Sequence, residues 1–158
     1  MLPENLSELE EIRRQCKQMV VKRAVVSGAA NLVPIPGVDI VADVGLLMQL
    51  LPTINSKFGL SPEQIDKLDP QTRAIVYGLV VNTGTQLAGK VITKQLIVTI
   101  LKRVGIRVGA RQVAKFIPIV GQGAALAISI AAMKTIGDMH IDECYNLAMQ
   151  AIKKGRVA

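Results

Sequence analysis

The chain has 158 residues and a formal net charge of +7; half of it is hydrophobic, yet only 3% is aromatic and there is no Trp. That length suits a single domain with a sizeable core. A lone histidine gives an enzyme little to work with, and two Tyr and two Phe give a nucleic-acid binder little to stack on, so both classes are argued against.

Taken in chain order, Ser7 followed by Glu10 spells a capping box, and residues 7–33 then run as one long helix. Its first turn is acidic and its middle basic, the sense that the helix dipole favours. "PIPG" at 34–37 stops it, because proline lacks an amide donor and restricts the residue before it. A second helix is expected from Val38 to Phe58, with Asp39 in its first turn and a kink or break at Pro52. Gly59 ends it. Ser61–Pro62–Glu63–Gln64 and Asp69–Pro70 each start a further helix with a cap followed by proline at the first helical position. One or two helices then reach Arg103, with Gly78, Gly84 and Gly89 inside them, and a shorter one over 106–116 leads to "FIPIVG". A long apolar helix over 121–137 and an amphipathic one over 140–154 complete the chain. No segment alternates with a period of two, so no strands are expected.

"NLVPIPGVDIVADVGLLMQL" and "KFIPIVGQGAALAISIAAMK" echo one another. Pro34, Pro36 and Gly37 in the first, and Pro118 and Gly121 in the second, read as elbows between apolar helices, the apex of an αα-hairpin. The fold class expected is all-α: a bundle of roughly six to eight helices built on two proline-elbow αα-hairpins. It forms one domain over 1–158, with frayed ends at 1–6 and 155–158. The longest uncharged runs are Phe116–Met133, Ala74–Gly89 and Ala24–Val38. A membrane span needs about 20 apolar residues, so buried core helices or shallow hairpins fit them better. The mean hydropathy of +0.37 is nonetheless high for a soluble domain, which leaves room for apolar surface that meets a membrane or a partner. Cys16 and Cys144 match no metal or redox spacing, in keeping with a reducing cytoplasm. The opening "MLPENLSELEE" reads as neither a signal peptide nor, with Leu2, a myristoylation site.

Several constellations come near to chemistry. "NTGTQLAGKVIT" at 82–93 carries Gly84, Gly89 and Lys90 of a phosphate loop, but Val91 stands where Ser or Thr would hold magnesium, and no carboxylate follows until Asp138. It is read instead as helix, with Gly84–Ala88 and Thr85–Gly89 as small residues that permit a close crossing. Asp39 and Asp43 lie at i,i+4, but no third ligand stands near them, and structural roles are expected. "DMHIDEC" sets His140 and Cys144 at i,i+4 beside Asp138 and Asp142, half of a zinc set. It is read as the polar start of the last helix, with Asp142 and Glu143 in its first turn. No catalytic residue, metal or cofactor is therefore expected.

The charge is distributed unevenly. From Pro70 to Gly137 there are nine Lys or Arg and no Asp or Glu, whereas the remainder of the chain has a net charge of −2. Arg103, Arg107, Arg111 and Lys115 recur every four residues, a slowly turning ridge on a helix. With Lys90 and Lys94 they form either a solvated face or a site for an anionic surface, lipid or acidic protein.

The elbows carry a resemblance. "IPGVDIVADVGLLMQLLPTINSKFGLSPEQIDKL" and "AKFIPIVGQGAALAISIAAMKTIGDMHIDECYNLAMQAI" resemble the helical domain of immunity-related GTPases, the interferon-inducible, dynamin-like family, and related bacterial GTPase-associated membrane domains. The likeness covers most of residues 24 to 152. It implies an all-helical module for membrane targeting, self-association and regulation beside a GTPase. The motifs of a GTPase domain are not found in these residues, so GTP hydrolysis is not carried over. The function expected is thus non-enzymatic: a cytoplasmic module, peripherally attached to an anionic membrane surface or an acidic partner, and able to form homo-oligomers. The competing expectation is a helical protein whose hairpins insert into a bilayer or form a pore.

Overall fold

The computed structural model describes residues 1–30, 38–113 and 122–155, with side chains placed over 1–26, 44–104 and 130–155. Six helices lie within these residues: α1 (Leu6–Ala30), α2 (Val38–Lys57), α3 (Pro62–Ile65), α4 (Pro70–Asn82), α5 (Lys94–Val113) and α6 (Gln122–Gly155). No strand occurs among the described residues. Pro34, Pro36, Gly37, Lys115, Pro118 and Gly121 lie outside them.

The caps show how closely local chemistry sets the boundaries. The α3 start is the capping box expected at Ser61 and Gln64, and Asp69 caps α4 by accepting from the amides of Gln71 and Thr72. The α1 cap falls two residues earlier than Ser7. The Asn5 side chain accepts from the Glu8 amide at 2.9 Å, and the Glu8 carboxylate reaches back to the Glu4 amide at 2.8 Å. Asn is as good a cap as Ser, and this register brings Leu9 fully into the core. α2 runs through Pro52 without a break.

α6 is the post of the bundle, and α1, α2, α4 and α5 all pack against it. Met133, Ile136, Ile141, Cys144, Leu147, Ala148 and Ala151 are buried along it at helical spacing. The expected break near residue 138 does not occur. Gly137 costs a helix about 1 kcal/mol relative to alanine, but it lies under α1, where a side chain would not fit. A Cβ on Gly137 would sit 2.7 Å from both γ-methyls of Val20. The close helix crossing expected at Gly84–Gly89 is therefore found here, between Gly137 of α6 and Val20 of α1. Asp138 continues the helix with an i,i+4 ion pair to Lys134. The open end of α1 is tied to α6 by Arg13, which pairs with Asp142 at 2.8 Å and lies over the Tyr145 ring at 4.6 Å.

Gly137→Ala should lower stability by about 1–3 kcal/mol despite the better helix propensity of alanine. Val20→Ala should recover part of that loss in the double variant, since it removes the colliding methyls. Urea denaturation of the four proteins measures the coupling; additive effects would show that the two residues do not meet.

Candidate functional site

Residues 83–93 are a loop between α4 and α5 rather than helix. Thr83 caps α4, its hydroxyl donating to the Leu79 carbonyl at 2.6 Å, and Gly84 follows with φ +61°. A left-handed residue here terminates a helix, and glycine adopts that conformation without strain. Gly89 has φ +71°, and a Cβ on it would lie 2.7 Å from Val80. Leu87 and Ala88 between them are fully buried. The loop thus turns inward, and α5 restarts where the Thr93 hydroxyl accepts from the Leu96 amide at 3.2 Å.

The inward turn lines up three consecutive amides, and they hold an anion. The amides of Gln86, Leu87 and Ala88 donate to the carboxylate of Glu143 at 3.1, 3.0 and 3.2 Å. Consecutive amides pointing into one concavity are the geometry by which phosphate loops bind their ligand. In this chain α6 supplies the anion. Lys90, the lysine of the near-motif, donates its ammonium to the Thr85 carbonyl and so closes the same loop. Glu143 was expected in the first turn of a helix; it lies deep within α6, and its role is to pin the α4–α5 loop to the post.

One turn of α6 does the same for α2. His140 is fully buried, and its Nε2–H donates to the carbonyl of Leu51, the residue before Pro52, at 3.1 Å. The Cys144 thiol donates to Asn55 Oδ1 at 3.3 Å, and Asn55 donates in turn to the Lys90 carbonyl at 3.5 Å. The Cys144 sulfur is 3.9 Å from one ring nitrogen of His140 and 3.8 Å from the other, with neither singled out. Burial pushes the His140 pKa down to about 4 and raises the thiol of Cys144 well above its ordinary value. Both groups are therefore neutral near pH 7. Among the described residues no group of three metal-ligating side chains forms.

The cations are arranged differently. Lys94, Lys102 and Arg103 are exposed on α5, while Ile97, Ile100 and Val104 face the core. Arg107 and Arg111 fall on the same helix, with side chains outside the described residues, so the ridge is placed only at its first member. Lys102 belongs to this face and was not picked out by the four-residue spacing. A second basic surface lies on α1 and α2. Lys17, Lys22 and Lys57 are exposed on α1 and α2, with Arg23 half-buried beside them. The signal was present in the chain, since residues 12–38 contain no Asp or Glu. The basic middle of α1 is legible there; that Lys57 of α2 lies beside it is a tertiary fact. Among the described residues, ion pairs engage only Arg13, Arg14 and Lys134. No described helix is long and apolar enough to cross a membrane.

No family model, curated protein or solved structure matches this chain.

Two measurements test this interior. Glu143→Ala should cost about 2 kcal/mol, because three amides lose a charged acceptor, and Glu143→Gln should cost less. Equal stability of all three proteins would contradict the amide cradle. For His140 the unfolded state takes up a proton near pH 6.5, whereas the folded state does so only near 4. Stability should thus fall as pH drops through that window, by on the order of 3 kcal/mol in full. The component should vanish in His140→Gln, as read from thermal melts of both proteins at pH 7, 6, 5 and 4.

Proposed function

We propose that the chain is a non-enzymatic helical module that attaches to anionic membrane surfaces as a folded bundle. The observation that carries this reading is the exposed α5 face. Lys94, Lys102 and Arg103 stand in a stretch with no acidic residue, and no described carboxylate lies within ion-pair distance of them. Isolated surface charges contribute little to a fold, but a field of one sign draws the protein to an oppositely charged surface. Basic residues near an anionic bilayer contribute about 1 kcal/mol each. The interior supports the same reading, because the 83–93 loop, with amides arranged as for a phosphate, is filled by Glu143.

The resemblance to the helical part of immunity-related GTPases adds a GTPase as the class of protein beside which the module would act. It also favours a cytoplasmic location and self-association. An acidic protein surface would use the same α5 face.

Sedimentation with vesicles tests this reading. The protein should pellet with vesicles containing acidic lipid and not with neutral ones, and binding should weaken steeply from 50 to 300 mM salt. Lys94→Glu, Lys102→Glu and Arg103→Glu together should weaken it about 100-fold or more. Binding that ignores lipid charge and salt would refute the proposal, and release of a trapped dye would favour insertion or pore formation instead.

A further inference from the structure

We infer that the groove between α1 and α2 is a discrete site for a phosphomonoester lipid headgroup. The inference rests on the membrane reading above but assigns a different surface and a specific chemistry. A shallow cleft of about 410 Å³ lies there, lined by Lys22, Arg23 and Lys57 with Gln15, Gln18 and Met19. Residues 15, 18, 19 and 22 form one stripe of α1 at helical spacing, and Lys57 closes the cleft from the last turn of α2.

Two of the three cations are held in place by neutral groups. Arg23 Nη1 donates to Gln49 Oε1 at 3.3 Å, and Lys57 Nζ donates to Gln15 Oε1 at 3.5 Å. An amide oxygen positions a cation without cancelling its charge. No described carboxylate lies within ion-pair distance of Lys22, Arg23 or Lys57. Each of these partners uses only one of five guanidinium donors or three ammonium donors. The cleft therefore presents three positive charges with donors to spare, two of them oriented by neutral amide oxygens.

Three cations lining one cleft suit a group of more than one negative charge with several acceptor oxygens. A phosphomonoester, at about −1.5 to −2 near pH 7, meets that demand, whereas a phosphodiester carries one charge. The surroundings favour a lipid as its source. Val26 lines the cleft, and it is 62% exposed; Val25 is 59% and Val21 45% exposed on the same stretch of α1. A soluble phosphate would leave these side chains in water. A headgroup in a bilayer would set them against the boundary between headgroups and acyl chains, where a helix with basic and apolar residues side by side is stable.

The test compares vesicles of phosphatidylcholine doped with phosphatidic acid, a monoester, and with phosphatidylglycerol, a diester, at matched surface charge. Wild-type protein should bind the monoester vesicles about 10-fold more tightly. The full chain carrying Lys22→Gln, Arg23→Gln and Lys57→Gln, shown by circular dichroism to be folded, should lose that preference, its affinity for the monoester vesicles falling about 10-fold further than that for the diester vesicles. Lys94→Gln, Lys102→Gln and Arg103→Gln should weaken both alike. A preference that survives in the cleft variant, or is missing from wild type, overturns the site while leaving the membrane reading intact. No binding to either vesicle overturns both. Glycerol 3-phosphate that binds the cleft as tightly without vesicles overturns the lipid assignment in favour of a soluble phosphate.

Discussion

The bundle depends on the burial of α6. A chain with almost no aromatic side chains must build its core from aliphatics, and such a core holds only if helices approach closely over long distances. α6 supplies the length, and Gly137 allows a close approach to α1 at Val20. The turn from His140 to Cys144 adds direction to that apolar burial. His140 holds α2 at the carbonyl before Pro52, Glu143 holds the α4–α5 loop through three amides, and Cys144 joins the two through Asn55. His140, Cys144 and Asn55 each have a partner, which is the condition for tolerating polarity in such a core.

This division of labour separates the charges. Among the described acids, Glu143 is consumed inside, Asp69 caps a helix, and Glu11, Asp138 and Asp142 pair with bases nearby. Much of the basic surplus has no such role. Lys94, Lys102 and Arg103 on α5, and Lys22, Arg23 and Lys57 around the α1–α2 cleft, contribute no ion pair to the described structure. Surplus charge of one sign on exposed helix faces costs a little self-repulsion, and its natural use is attraction to something outside the chain.

What the sequence disclosed follows from the range of each interaction. The caps at Ser61 and Asp69 and the turn at Gly59 are local, and they were legible within four residues. α2 was also legible, because its apolar spacing persists. Residues 83–93 were misread as helix because Leu87, Ala88 and Val91 continue the apolar run, although Thr83–Gly84 carries a helix-stop signal and Thr93 a start signal. The apolar run belongs to a loop that packs inward. Gly137 misled in the opposite sense, since its breaking tendency is outweighed by packing under Val20. The partner of the amide cradle was beyond reach, because Glu143 lies 55 to 57 residues from the amides it meets. The α1–α2 cleft needed two helices side by side before Lys57 could join Lys22 and Arg23.

The central claim is that a closed bundle meets an anionic surface with its outer faces while its post stays buried. Amide hydrogen exchange, measured with and without vesicles of acidic lipid, examines that claim most directly. The expected result is unchanged slow exchange across residues 132–151 of α6, with added protection confined to the exposed basic stretches of α1 and α5. Faster exchange in α6 on contact with the vesicles would mean that the bundle opens to enter the bilayer, and would contradict it.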